Sequence, residues 1–178
     1  MDTRQDFSIS MLAANLYGLL IAIPFFVVWP ALYGAVWGLE KLLDALLTTF
    51  QSWLFLVLLI LGMAAHEGLH AIGWQIFGRL PWGTVKFGFH LKTLTPYAHC
   101  PVPLPIRAYR LGGLLPGVAL GLLPAALGVI TGSGAWMLYG MLFSVAASGD
   151  LLSLWLLRRV PSDKFVEDHP SRVGCYVR

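Results

Sequence analysis

The segment His66-Glu67-Gly68-Leu69-His70 has the HExxH pattern of zinc metallopeptidases. On a helix, His66 and His70 share one face, at a spacing that lets two imidazoles bind one Zn²⁺. The glutamate of this motif does not bind the metal. It takes a proton from the attacking water and later delivers that proton to the leaving amine, while zinc lowers the pKa of the water and polarises the scissile carbonyl. The motif therefore predicts a zinc site with Glu67 as general base.

The acidic residues supply a candidate for the third zinc ligand. Of the nine Asp and Glu residues, only Glu67 and Asp150 lie inside long apolar runs. Unpaired ionisable groups are costly in a bilayer, so they mark functional sites by default. Asp150 lies eight residues before Arg158, and His70 lies nine before Arg79. At a rise of about 1.5 Å per residue, both reach a similar depth. We therefore expect Asp150 to complete a three-ligand site, the alternative being a structural bond to a backbone or hydroxyl group.

His99 is the second candidate outside the motif. It lies on the same predicted side of the membrane, in a loop that can fold back towards the motif. Two functional roles are open for it: a rival third metal ligand, or a catalytic group that stabilises the oxyanion. His90 and His169 are expected on the surface.

Four apolar runs must position these residues. The chain is 57% hydrophobic and only 12% charged, whereas a soluble domain is about a quarter charged. The runs cover residues 9–39, 52–77, 111–130 and 135–157, and each is long enough to cross a bilayer. Pro24 and Pro30 predict a kink or break near Pro30 in the first run, and its length and charged flank argue against a cleavable signal peptide. We predict one domain, residues 1–178, that is an all-α membrane protein with about four transmembrane helices.

Basic residues define the predicted topology. Four spans place both termini on the same side as the loop 78–110 and the tail 158–178. Eleven of the twelve Lys and Arg residues fall on that side, with only Lys41 opposite. The positive-inside rule then predicts an integral membrane protein with both termini in the cytoplasm; the family resemblance described below implies that the membrane is the bacterial cytoplasmic membrane. Because these charges flank apolar runs, the net charge of +3 does not indicate nucleic-acid binding.

The loop 78–110 has a strand-like pattern. Residues 84–91 alternate β-formers with polar or small residues, residues 92–96 can form a turn, and residues 97–100 can return. We predict a small β-hairpin on the cytoplasmic side between the second and third helices. Cys100 and Cys175 both fall on this side, where a structural disulfide is not expected.

With these motifs, the chain resembles the DUF3267 family of small bacterial membrane proteins, a zincin peptidase family. The resemblance rests on the HExxH segment and on four later groups in a fixed order. These are Tyr97-Ala98-His99-Cys100 with the prolines after it, Pro116, Ser148-Gly149-Asp150, and Asp168-His169-Pro170 with Val173-Gly174. The layout is also similar to site-2 proteases, which place HExxH on one transmembrane helix and an Asp ligand on a later one. The resemblance implies Zn²⁺ held by His66, His70 and Asp150.

The fourth run departs from the site-2 pattern at the substrate end. Gly149 precedes Asp150 instead of following it, and the run contains no asparagine. The asparagine amide that usually orients the substrate in site-2 proteases is therefore missing. Another hydrogen-bond donor must take its place, and the candidates are His99, Tyr97, Tyr109 and Arg107. Cleavage at the cytoplasmic membrane boundary is then as compatible with the sequence as cleavage within the membrane. An exposed hairpin edge would hold an extended substrate by strand addition.

Three functions compete at this point. The first is a zinc protease that acts on membrane or membrane-proximal peptides, with the bilayer and the substrate as its partners. The second is a non-catalytic zinc-binding protein, or a pseudoprotease that binds membrane helices. The third is an ion or proton carrier that uses Glu67 and Asp150. The presence of Glu67 favours the protease, because a structural metal site needs no base, and four spans show no inverted repeat typical of a carrier.

Overall fold

The computed structural model describes residues 4–90, 95–169 and 172–178, and most of them are helical. The helices and strands occur in the following order: β1 (Gln5–Ile9), α1 (Met11–Trp37), α2 (Leu39–Thr48), α3 (Trp53–Phe77), β2 (Lys86–His90), β3 (Thr95–His99), β4 (Leu104–Pro105), α4 (Ile106–Pro116), α5 (Leu123–Thr131), α6 (Gly134–Ala146), α7 (Ser148–Leu156), β5 (Phe165–Asp168) and β6 (Val173–Val177). A 3₁₀ turn, Thr49–Gln51, precedes α3, and a π-helical segment, Gly117–Leu122, joins α4 to α5.

Four helical segments are long and apolar enough to cross a membrane. They are Met11–Trp37, Trp53–Phe77, Ile106–Thr131 and Gly134–Leu156. The third segment starts five residues before the predicted run, directly after Pro105. Most large apolar side chains of α1 are exposed, as expected for a helix whose outer face contacts lipid. The chain thus has the helices of a membrane protein.

The first segment corrects one expectation from the sequence. Helix α1 begins after Ser10, whose Oγ accepts a hydrogen bond from Ala13 N at 3.3 Å. It then passes through Pro24 and Pro30 and ends at Trp37. The break lies at Gly38, whose φ of 90° is accessible to glycine at little cost. The prediction of a kink or break near Pro30 was therefore wrong about a break, because the glycine and not the proline ends the helix.

Strands β2 and β3 form a two-stranded antiparallel sheet between α3 and α4, where the sequence predicted a hairpin. Phe87 pairs with Ala98 and Gly88 pairs with Tyr97. Of the predicted turn at 92–96, residues 92–94 lie outside the described residues, whereas Thr95 and Pro96 belong to β3. The placement of this hairpin on the cytoplasmic side stays a prediction.

A second sheet shows that the all-α prediction was incomplete. Strands β1, β6, β5 and β4 form a four-stranded antiparallel sheet in that order, which we call the terminal sheet. Its residues pack on the ends of α3, α4 and α7 to form an apolar core. Largely buried members of this core include Leu104, Ile106, Leu157, Val166, Cys175 and Val177. The sheet thereby joins the segments that precede and follow the four long apolar helical segments in the sequence.

Helices α3 and α4 approach closely at two glycines. A Cβ on Gly73 would lie 2.7 Å from the Cα of Gly112, and a Cβ on Gly112 would lie 2.2 Å from Trp74 Cδ1. Only glycine fits at such distances, as in other tightly packed membrane helices. This contact brings the backbone of α4 beside the HExxH segment.

Candidate metal centre and its cavity

The structure brings His66, His70 and Asp150 together. The two histidines lie one turn apart on α3, and Asp150 lies in the first turn of α7. Asp150 Oδ2 is 3.1 Å from His66 Nε2, and Asp150 Oδ1 is 3.2 Å from His70 Nε2. One potential ligand atom from each residue lies within 4.8 Å of the other two. The similar membrane depth predicted for Asp150 and the motif therefore corresponds to direct proximity in the fold.

Backbone and aromatic groups hold the His70 ring in place. His70 Nδ1 lies 3.0 Å from the carbonyl oxygen of Gly112. A carbonyl only accepts, so Nδ1 carries the proton and Nε2 of the neutral ring is left with a lone pair. The ring also stacks on Trp74, with centroids 5.1 Å apart, and Trp74 stacks in turn on Tyr109 at 5.5 Å. These contacts direct His70 Nε2 towards Asp150.

This arrangement fits a cation between the side chains. Neutral His70 presents an unprotonated nitrogen to a carboxylate oxygen, and two acceptors at 3.2 Å repel each other unless a proton or metal ion lies between them. Because Zn–N and Zn–O bonds are about 2.0–2.2 Å long, ligand atoms of one zinc lie roughly 3–4 Å apart. Two imidazoles and a carboxylate are a donor set typical of catalytic zinc. The residues therefore fit a zinc ion, and the hydrogen bond from His70 to Gly112 is the outer bond that commonly orients such a ligand.

Glu67 is half-buried beside the two histidines and lines the same cavity. The backbone N–H of Ala98 faces its carboxylate. Alternate residues of a strand point their N–H groups to the same edge. The N–H of Cys100 therefore points the same way as that of Ala98, and it donates to Asp168 Oδ2 at 3.1 Å. The edge of β3 that is not paired with β2 thus faces the metal centre.

His99 lies in this cavity but outside the group of three candidate ligands. Its Nδ1 is 3.2 Å from Asp168 Oδ2, and its side chain is 39% exposed. The hydrogen bond to the Asp168 carboxylate raises the pKa of the His99 imidazole. Among the described residues, His99 is therefore oriented by the terminal sheet and not by His66, His70 or Asp150.

A single open cavity of about 1000 Å³ connects these groups. Its floor includes the candidate ligands and Glu67, and its opposite wall includes His99, Asp168 and Tyr176 from β3, β5 and β6. Such a volume accommodates several residues of an extended peptide, because drug-sized ligands occupy sites of roughly 300–1000 Å³.

The other predicted substrate-orienting groups occupy different positions. Tyr97 lines the cavity, and its ring covers Gly88. Tyr109 also lines the cavity, but it is largely buried and its hydroxyl faces the Cys175 thiol. Arg107 is exposed and is not among the cavity residues. Of the three, only Tyr97 combines a cavity position with substantial exposure.

Three features of this site were missed in the sequence. Trp74 repeats the spacing of the motif, four residues after His70, and this periodicity was a signal that could have identified it. Asp168 and His169 were noted only as part of a family resemblance. His169 was expected on the surface but is half-buried, with Nε2 3.0 Å from Tyr176 Oη.

One comparison with known protein families matches this chain. The sequence model of the DUF3267 family, which carries the description "Putative zincin peptidase", matches residues 56–165. This range includes the HExxH segment, the hairpin and Asp150, and it covers more than half of the chain. Neither a curated protein nor a solved structure matches the chain. The chain therefore belongs to the DUF3267 family, whose description as a zincin peptidase implies a metallopeptidase that uses zinc.

Proposed function

We propose that this protein is a membrane-embedded zinc metallopeptidase that hydrolyses peptide bonds of membrane or membrane-proximal substrates. One observation carries the proposal: the bond to Gly112 leaves the His70 Nε2 lone pair facing an Asp150 oxygen at 3.2 Å. A cation bound between these two acceptor atoms removes their mutual repulsion. A base, Glu67, lies in the same cavity, and a purely structural metal site would not need it.

The residues divide the chemistry between them. His66, His70 and Asp150 would hold the zinc ion. When bound, zinc polarises the scissile carbonyl and acidifies water. Glu67 accepts a proton from the attacking water at its carboxylate and delivers it to the leaving amine. The backbone N–H of Ala98, which faces that carboxylate, favours its ionised form.

The free edge of β3 supports an extended substrate in this proposal. The carbonyl groups of Pro96 and Ala98 point to the edge that faces Glu67, because alternate residues of a strand share an edge. Pro96 carries no N–H, the N–H of Cys100 donates to Asp168, and the N–H of Ala98 faces Glu67. The edge therefore offers acceptors for the N–H groups of a peptide, and a substrate helix must unwind before it binds there.

His99 is proposed to stabilise the oxyanion. It lines the cavity, its Nδ1 is held by Asp168, and its raised pKa favours the cationic form. A cationic imidazole donates from both ring nitrogens, so Nε2 remains able to donate to a developing negative charge. We also infer the orientation from the basic residues, with both termini and the hairpin in the cytoplasm of a bacterial cell.

The test compares wild-type protein with Glu67→Gln, both purified in detergent. We expect about one zinc per chain in each, and cleavage of unfolded or membrane-derived peptides by the wild type only. Glu40→Gln, which changes an exposed acid on α2, is the matched control and should cleave normally.

Two results would contradict the proposal. Zinc binding without cleavage of any peptide would favour a non-catalytic metal protein or a pseudoprotease. An absence of zinc from the folded wild-type protein would exclude a zinc metallopeptidase.

A further inference from the structure

A small apolar pocket of about 140 Å³ lies between α1 and the third membrane-spanning segment. Its wall is formed by Phe25 of α1, Leu122 of the π-helical segment, and Ala147 and Leu151 at the start of α7. Asp150 is its only charged lining residue among those described. The pocket therefore has an apolar interior with a single carboxylate at one side.

This pocket adjoins the metal-centre cavity. Both are lined by Gly113 and Asp150, so the pocket begins directly beside one of the candidate ligands. The size is informative as well, because an apolar cavity of about 150 Å³ takes a benzene-sized group. A leucine or phenylalanine side chain matches this space.

Small residues keep the pocket open. Gly113 and Gly117 both line it, and a Cβ on Gly117 would lie 3.0 Å from the Cβ of Ala147, which also lines it. The π-helical segment Gly117–Leu122 forms the wall opposite α7, and π-helical turns are common at functional sites. Larger side chains at these positions would close the space next to Asp150.

We propose that this pocket is a specificity subsite, which binds an apolar side chain of the residue adjoining the cleaved peptide bond. The proposal rests on the proposed peptidase function for its substrate, but the binding of an apolar group beside the metal is testable without cleavage. Leucine- to phenylalanine-sized side chains are preferred over alanine and glycine, and charged side chains are excluded by the apolar wall.

The first test measures binding to the zinc-loaded protein by calorimetry. The probes are the hydroxamates of glycine, leucine and phenylalanine, which share a metal-binding group and differ in their side chain. We expect the leucine compound to bind about 10–100-fold more tightly than the glycine compound, since one methylene in an apolar pocket changes recognition by about tenfold or more.

Two variants with a matched control locate the effect. Phe25→Ala enlarges the pocket and should reduce the advantage of leucine over glycine at least about fivefold. Val118→Trp narrows the pocket from its exposed edge and should reduce the advantage of the phenylalanine hydroxamate over the glycine hydroxamate. Phe26→Ala removes the same side chain from the neighbouring exposed position, which is not part of the pocket, and should leave both ratios unchanged.

Three binding results would overturn the subsite. Equal affinity of wild-type protein for the glycine and leucine hydroxamates would leave the pocket without a role. An equal effect of Phe26→Ala and Phe25→Ala would assign the preference to general loosening of α1. A preference seen in detergent but abolished in lipid nanodiscs would assign the pocket to a lipid acyl chain.

Peptide cleavage separates this inference from the proposed function. A library with varied residues around the cleaved bond is read by mass spectrometry for wild type, Phe25→Ala and Phe26→Ala. If peptides are cut and Phe25→Ala does not change the preferred side chain, the subsite proposal is refuted and the peptidase proposal is supported. If nothing is cut but the hydroxamate ratios behave as expected, the peptidase fails and the apolar site beside the metal stands.

Discussion

The contact between Gly73 and Gly112 predicts that a single methyl group on α3 weakens zinc binding from a distance. In Gly73→Ala, the new Cβ would lie 2.7 Å from the Cα of Gly112 and 3.3 Å from Leu115 Cδ2. Non-bonded carbon atoms prefer separations of about 3.5–4.0 Å. Helix α4 must therefore move away from α3 by about 1 Å, because the Cα of Gly112 is a backbone atom that cannot rotate aside.

This displacement acts on the bond that orients His70. The distance from His70 Nδ1 to the carbonyl of Gly112 is 3.0 Å. An increase of about 1 Å takes it beyond hydrogen-bonding range, and the imidazole then loses the partner that fixes its tautomer. Losing such an outer bond costs about 10–100-fold in metal affinity. Overpacking itself costs about 1–3 kcal/mol of stability.

The assay is zinc affinity by competition with a fluorescent chelator, with thermal unfolding of the same samples to show that they are folded. Gly68→Ala is the matched control, because it makes the same change on the same helix, within the motif, and a Cβ there meets nothing within 4 Å. Both variants gain the same helix propensity, so their difference isolates the contact with α4. Wild-type affinity in folded Gly73→Ala, or an equal loss in Gly68→Ala, would refute the reasoning.

The remaining predictions concern the third ligand and the terminal sheet. Asp150→Asn should lower zinc affinity more than about 100-fold, because the loss of a direct ligand exceeds the cost of about 10–100-fold for losing an outer hydrogen bond. Asp168→Asn should keep the wild-type zinc affinity in the same chelator competition. Because the carboxylate of Asp168 raises the pKa of His99, the stabilisation from this pair should be complete below about pH 6.5. It should be lost as pH rises through the raised folded pKa, and NMR titration of Asp168→Asn should return the His99 pKa towards its ordinary value. Burial raises the pKa of the thiols of Cys100 and Cys175, so iodoacetamide should modify both in denaturant and neither in the native protein, as read by mass spectrometry.

The spacing of the HExxH residues and the scarcity of carboxylates in the apolar runs predicted the arrangement of the candidate site. The HExxH spacing defines a helix face, and the rarity of carboxylates in apolar runs singled out Asp150 without any knowledge of the packing. Helical rise then placed Asp150 at the depth of His70, which is the proximity that the structure has. These arguments succeed because a bilayer penalises unpaired charge and constrains helix orientation.

The same arguments could not predict the terminal sheet. The strand β1 has only Phe7 and Ile9 as apolar residues, and its partner β6 lies more than 160 residues further along the chain. Neither segment has a sequence pattern strong enough to be recognised as a strand on its own, because each is stabilised by pairing with a distant segment. The cavity wall that contains Asp168 and Tyr176 therefore depends on non-local contacts that no periodicity reveals.

The connectivity of the terminal sheet sets an order of events during biosynthesis. Gly174 lies 24 residues after Asp150, and at about 5–20 residues per second its synthesis takes roughly 1–5 s longer. During those seconds, His66, His70 and Asp150 have all been made, while the wall formed by β6 does not yet exist. Strand β1, synthesised before all four spans, keeps an open hydrogen-bonding edge until β6 arrives. The compartment around the candidate metal centre therefore closes late, after the helices that carry it.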